Sequence, residues 1–111
     1  MRTMNKWDIW YANVYFEDDC SQNKNRPVVI ISVEPFCCIS LKITSHSRRN
    51  NCNGEYEIIE WSCAGLNRPS VIRASQKYEL APSDFLHPIG RLHPTDIKNL
   101  NNILSRLYPK G

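Results

Sequence analysis

The chain has 111 residues, which allows one domain and leaves no room for a second core. Hydrophobic residues make up 41% and charged residues 23%, a globular balance that excludes wholesale disorder. Lys and Arg number 14 against 11 Asp and Glu, a net charge of +3 that permits nucleic-acid binding without requiring it.

Trp7–Phe16 is rich in aromatic and β-branched residues and reads as a strand. Glu17–Asn25 is polar without periodicity and reads as a long exposed loop. Arg26–Val33 is a compact β-branched run, a buried strand with Pro27 at its start or on an edge, because proline lacks the N–H a ladder needs. Glu34-Pro35 marks a turn. Phe36–Ser45 reads as a third strand. There Ile39, Leu41 and Ile43 alternate with Ser40, Lys42 and Thr44, giving one apolar and one wet face.

Ser47–Gly54 reads as a loop, Glu55–Ile59 as a fourth strand and Ser62–Pro69 as a connection. Ser70–Ser75 is a fifth strand, Lys77–Leu80 a short sixth, and Gly90–Leu92 a further edge. From about Thr95 to Leu107 the period changes: Ile97, Leu100, Ile103, Leu104 and Leu107 fall three and four apart, the pattern of an amphipathic helix. Pro94 suits its first turn and Tyr108-Pro109 ends it. The sum is a small twisted sheet or barrel capped by one terminal helix.

The longest apolar run, Val28–Ile31, is far short of a membrane span of about 20 residues. No signal-peptide core follows Met1–Lys6, so the cytoplasm is the expected compartment. The five cysteines, Cys20, Cys37, Cys38, Cys52 and Cys63, are odd in number and lack Cys-x-x-Cys spacing. They read as buried or incidental thiols, with a redox or nucleophilic role as the alternative. His46, His87 and His93 lack metal-ligand spacing, and no phosphate-cradling glycine loop occurs.

Charge gathers in Lys24–Arg49, where Lys24, Arg26, Lys42, Arg48 and Arg49 face only Glu34, a local +4 (five minus one). If the strands pair, these groups share a face suited to phosphate; the alternative is a scattered, solvated surface. Thr44-Ser45-His46-Ser47 adds three hydroxyls and an imidazole at a strand end, where hydroxyls serve either a phosphate or their own backbone.

The order Asp8-Ile9-Trp10, Arg26-Pro27-Val28-Val29-Ile30-Ile31-Ser32, Ile43-Thr44-Ser45, Gly65-Leu66, Ser70-Val71-Ile72-Arg73-Ala74-Ser75-Gln76 and Ile89-Gly90-Arg91-Leu92, then a helix, resembles the PemK/MazF-like toxins of type II toxin–antitoxin modules. The likeness runs from Asp8 to Leu104. It implies that residues 1–111 form a single domain, mainly β, folded as a small SH3-like β-barrel with a C-terminal α-helix and paired as a homodimer. It also implies a cofactor-free, metal-independent endoribonuclease acting on single-stranded RNA, and a cognate antitoxin that covers the RNA groove.

By the resemblance, Arg26 and Thr44 are catalytic, with Ser45 following, and the segment that some members use in catalysis reads Arg73-Ala74-Ser75-Gln76; with the basic cluster and the strand end, the candidate RNA contacts are Lys24, Lys42, Ser45, His46, Arg48, Arg49 and Arg73. Trp10, Tyr11 and Trp61 are either stacking platforms or core. Two positions depart from the family: Ser75 stands where some members have an aspartate, which removes a possible general base, and Trp7 replaces a glycine before the first strand. His46 is a substitute base within reach of the same strand end. The rival readings are a barrel that poisons DNA gyrase by binding it and a member that binds RNA or a partner without cutting.

Overall fold

A computed structural model describes the backbone of residues 4–16, 19–44 and 54–108, with side chains described except at 15, 16, 19–24 and 76. The strands are β1 (Asp8–Phe16), β2 (Asp19–Val33), β3 (Cys38–Thr44), β4 (Glu55–Glu57), β5 (Val71–Leu80) and β6 (Phe85–Arg91). A helix, α1 (Pro94–Leu107), closes the chain. All neighbouring strands are antiparallel in one sheet of order β4-β5-β3-β2-β1-β6. Among the described residues the end strands β4 and β6 do not pair with each other, so the expected barrel is here an open sheet.

Besides a later start of β3 and an earlier end of β4, each by two residues, three elements differ from the sequence reading. Most of the polar stretch Glu17–Asn25 is strand, because β1 extends far enough to pair Asn25 with Asn13, Lys24 with Val14 and Asn23 with Tyr15. Composition signals exposure, whereas the ladder is set by the available partner strand. The predicted fifth and sixth strands are one strand, β5. It pairs with β3 on both sides of an irregularity, from Leu41↔Lys77 to Lys42↔Arg73, which leaves three residues, 74–76, extra on β5. The edge expected at Gly90–Leu92 begins earlier, at Phe85.

The predicted wet face of β3 is also corrected: Ser40 and Thr44 are buried and Lys42 is half-buried. As a central strand between β2 and β5, β3 is covered on both faces, with Leu41 and Ile43 in one core cluster and Cys38 in the other. One core cluster joins Ile9, Val29, Leu41, Ile43 and Ile72 to Leu92 and Leu100, beneath the apolar stripe of α1. The other joins Trp10, Ala12, Val14, Val28, Ile30 and Phe85, with Trp10 edge-on to Phe85 at 6.0 Å. Each such large side chain contributes about 1.5–3 kcal/mol by leaving water.

α1 starts as the sequence predicts. Pro94 occupies the first turn, and the His93 ring accepts from the Thr95 amide at 3.1 Å. The unpredicted feature is Asp96, which is fully buried. Its Oδ1 accepts from the Tyr56 hydroxyl and from the Ile59 amide at 2.9 Å, and its Oδ2 accepts from the Glu60 amide at 2.9 Å. Asn99 donates to the Tyr56 oxygen at 3.1 Å. This carboxylate fastens the loop of residues 58–70 to the helix, whose N-terminal dipole also favours the negative charge.

That loop then lies directly on β6. Gly65 has φ +92°, and a Cβ there would sit 2.5 Å from the Ile89 carbonyl oxygen; one on Gly90 would sit 2.1 Å from that of Ala64. Only hydrogen atoms fit between the two backbones. Trp7 takes φ 75°, a left-handed value rare for a bulky residue. It is held by its amide donating to Ile30 at 2.6 Å and its carbonyl accepting from Leu92 at 2.9 Å, with the ring in the core.

Three outcomes test this framework. Asp96→Ala strands a buried hydroxyl and two amides, and should cost about 3 kcal/mol or more in denaturant unfolding. Burial, and then donation to Asp96, push the Tyr56 hydroxyl up to about 12, against an ordinary value of about 10. Its contribution is therefore complete below about pH 10 and is lost as pH rises toward 12. Parent stability should fall more steeply over that window than that of Tyr56→Phe. Gly90→Ala should cost about 1–3 kcal/mol and speed amide exchange at Gly65 and Leu66; an unchanged melting temperature would show the contact to be slack.

Candidate functional site

The sheet register gathers the charges that the sequence reading picks out. Val28↔Lys42, Lys42↔Arg73 and Arg73↔Glu55 form one cross-strand row, so these residues share a face. Extended by two residues along β2 and β3, the same register sets Arg26 against Thr44, which is opposite Val71 of β5. Lys42 and Arg73 are like charges directly opposed. Glu55, almost buried, offsets their repulsion through an ion pair to Arg73 at 3.4 Å.

Arg26 and Thr44 line a cleft of about 560 Å³ between the sheet and the loop that Asp96 anchors. Arg26 is half-buried at its β2 position, and Thr44 is buried at the end of β3. The loop adds Arg68 and Ser70; β1 adds Tyr11 and β6 adds His87. The Ser70 hydroxyl donates to the Arg68 carbonyl at 2.9 Å, which braces this wall. Tyr11 and His87 stack at 5.2 Å with planes 9° apart. Among the described residues no carboxylate lines the cleft, so its charged groups are the guanidiniums of Arg26 and Arg68. Two guanidinium forks, hydroxyls and an aromatic ring together match a phosphate next to a flat base.

The other proposed contacts fall elsewhere. Lys42 and Arg73 are one row from Thr44 and do not line this cleft. Lys24 lies in β2 opposite Val14, with its side chain outside the described residues, as are Ser45, His46, Arg48 and Arg49 altogether. Of the aromatic platforms, Trp10 is core, Trp61 packs against the core, and Tyr11 alone lines the cleft. Ser75 is exposed in the extra segment of β5, and a Cβ on Gly54 would come within 2.9 Å of its own.

Sequence reasoning missed Arg68 and His87. Arg68 sits in what reads only as a connection, and His87 lacks metal spacing; the signal for both was the pair Gly65 and Gly90, which joins their two segments. Among the described residues no group of three or more His, Cys, Asp or Glu is placed to hold a metal. Cys37, Cys38 and Cys63 are free. Burial and the neighbouring Cys37 push the Cys38 thiol up, and it contacts Met4 at 3.8 Å, which suits packing and not nucleophilic chemistry. Cys20 and Cys52 fall outside the described side chains. No helix among the described residues is long and apolar enough to cross a membrane.

The fold is shared with solved toxins. The chain is similar to the Mycobacterium tuberculosis toxin MazF-mt6, with a TM-score of 0.73 and 22% identity over 94% of this chain and 98% of that one. It is similar to a mycobacterial endoribonuclease solved in complex with its cognate antitoxin, with a TM-score of 0.75 and 12% identity over 98% and 100% of the two chains. A mycobacterial endoribonuclease solved alone gives a TM-score of 0.75 and 12% identity over 100% of this chain and 98% of that one. No curated protein sequence matches significantly. The family model for the PemK-like, MazF-like toxin of type II toxin–antitoxin systems matches residues 5–108, nearly the whole chain, and the protein belongs to that family.

Proposed function

We propose that this chain is a toxin that cuts single-stranded RNA, typically mRNA, without a metal or other cofactor. The observation that carries the reading is the placement of Arg26, Thr44 and Arg68 in one cleft that holds two guanidiniums and no described acid. In the proposed reaction the ribose 2′-oxygen attacks its own 3′-phosphorus. The products carry a 2′,3′-cyclic phosphate and a 5′-OH. Arg26 grips the equatorial oxygens where negative charge develops, and Thr44 donates to the phosphate. Lys42 and Arg73, on the same sheet face, extend the contact along the RNA backbone, joined by Lys24, Ser45, His46, Arg48 and Arg49.

A cognate antitoxin is the protein partner in this reading. A structurally similar endoribonuclease was solved in complex with its own, which supports the assignment. The working unit in this reading is a homodimer in the cytoplasm, and light scattering should return twice the mass of the chain.

Cleavage of a mixed RNA substrate in excess EDTA tests the proposal. The parent should cut, and Arg26→Ala should be slower by about 10²–10³, with RNA affinity less affected. Arg26→Lys should recover part of the rate, since it keeps the charge but not the planar fork. Thr44→Val should cost less than Arg26→Ala, because it removes a neutral hydrogen bond. Because Arg26 is half-buried, melting temperatures are compared alongside. Parent-like cleavage by Arg26→Ala would make Arg26 structural. A parent that binds RNA or gyrase but never cuts would replace the enzyme by a binding protein.

A further inference from the structure

Resting on the endoribonuclease reading, the cleft geometry raises a question that Arg26 and Thr44 leave open: what removes the 2′-OH proton. A guanidinium stays protonated and a threonine hydroxyl is too weak a base. Ser75, which stands where some members of the family have an aspartate, does not line the cleft. Of the described side chains that do, an imidazole alone both takes and releases a proton near neutral pH. That residue is His87.

Its setting is built. Tyr11 and His87 are cross-strand partners on β1 and β6, between two register shifts. Each shift leaves one extra residue on β6, Ile89 on one side and Leu86 on the other. Bulges of this kind re-aim side chains. The His87 ring is exposed but backed by the Tyr11 ring, 5.2 Å away and nearly parallel. Its Nδ1 lies 3.3 Å from the Pro88 carbonyl oxygen. A carbonyl only accepts, so it is the Nδ1–H tautomer that makes this contact, and that tautomer carries its lone pair on Nε2. The titratable or charged groups sharing the cleft are Tyr11 from β1, Arg26 from β2 and Arg68 from the loop, with no described carboxylate.

We propose that His87 is the proton-transfer residue of this cleft, with Tyr11 as its backing. Nε2 takes the 2′-OH proton as the 2′-oxygen bonds to phosphorus. The bond from phosphorus to the 5′-oxygen breaks, that oxygen leaves with the electron pair and takes a proton from water, and the imidazolium later returns its proton to solvent.

The test is single-turnover cleavage of RNA across pH 5–8 by the parent, His87→Ala and His87→Phe, the last keeping a ring against Tyr11. The parent rate should fall as pH drops through the imidazole range. Both variants should be slower by about 10²–10⁴ and lose that limb, with melting temperature and RNA affinity kept in His87→Phe. Added imidazole should restore part of the rate to His87→Ala. If the parent cuts and His87→Phe matches it in rate and pH profile, the His87 assignment fails while the endoribonuclease reading stands. If the limb instead vanishes in His46→Ala, the base is His46 and the assignment fails equally. A parent that does not cut RNA defeats both.

Discussion

The buried carboxylate of Asp96 is the contact through which the fold reaches the cleft. It joins the first turn of α1 to Tyr56 of β4 and to the amides of Ile59 and Glu60. An anion without partners at that depth would be costly; three donors and a helix N-terminus offset the cost. The loop so fixed runs over β6 at the glycine contact, where the chains approach more closely than any Cβ allows. Arg68 and Ser70 are carried on this loop, and the opposite wall is β2 and β3. One hydrogen-bonded acid in the terminal helix therefore positions a wall that it does not touch.

The electrostatics of the sheet face follow from register. Arg73 and Lys42 oppose one another, and Glu55 answers Arg73. This leaves the face positive without an unrelieved like-charge pair. The cleft beyond Thr44 has guanidiniums on two sides and no described acid. Such a site attracts a phosphate and gives it fixed donors. Among the described residues that line it, the group suited to accepting a proton is the imidazole of His87.

Most of the strands, the terminal helix and its Pro94 start were legible because hydrophobic period and proline geometry act locally; the seven strands read from the sequence are six because its fifth and sixth are one. The extension of β2 through polar residues was not, because pairing to β1 decided it. Ser40 and Thr44 alternate as polar residues yet are buried, since alternation gives the face and not what covers it. Arg26 and Thr44 stood out in the sequence beside Pro27 and Ser45, and both line the cleft. Asp96 was hidden by its place beside the apolar stripe of a helix, where an acid in the first turn ordinarily faces solvent. Trp7 is instructive: a φ of 75° is one that glycine adopts freely, and this chain takes it with a tryptophan whose ring is buried.

The central claim is that the cleft directs a ribose hydroxyl onto its own phosphate. The most direct measurement is mass analysis of the RNA ends made by the purified protein in EDTA, beside a substrate lacking the 2′-OH at the cut site. The account predicts 2′,3′-cyclic phosphate and 5′-OH ends and no cut in the deoxy-substituted substrate. A 3′-OH with a 5′-phosphate, or cleavage next to the deoxyribose, would contradict it.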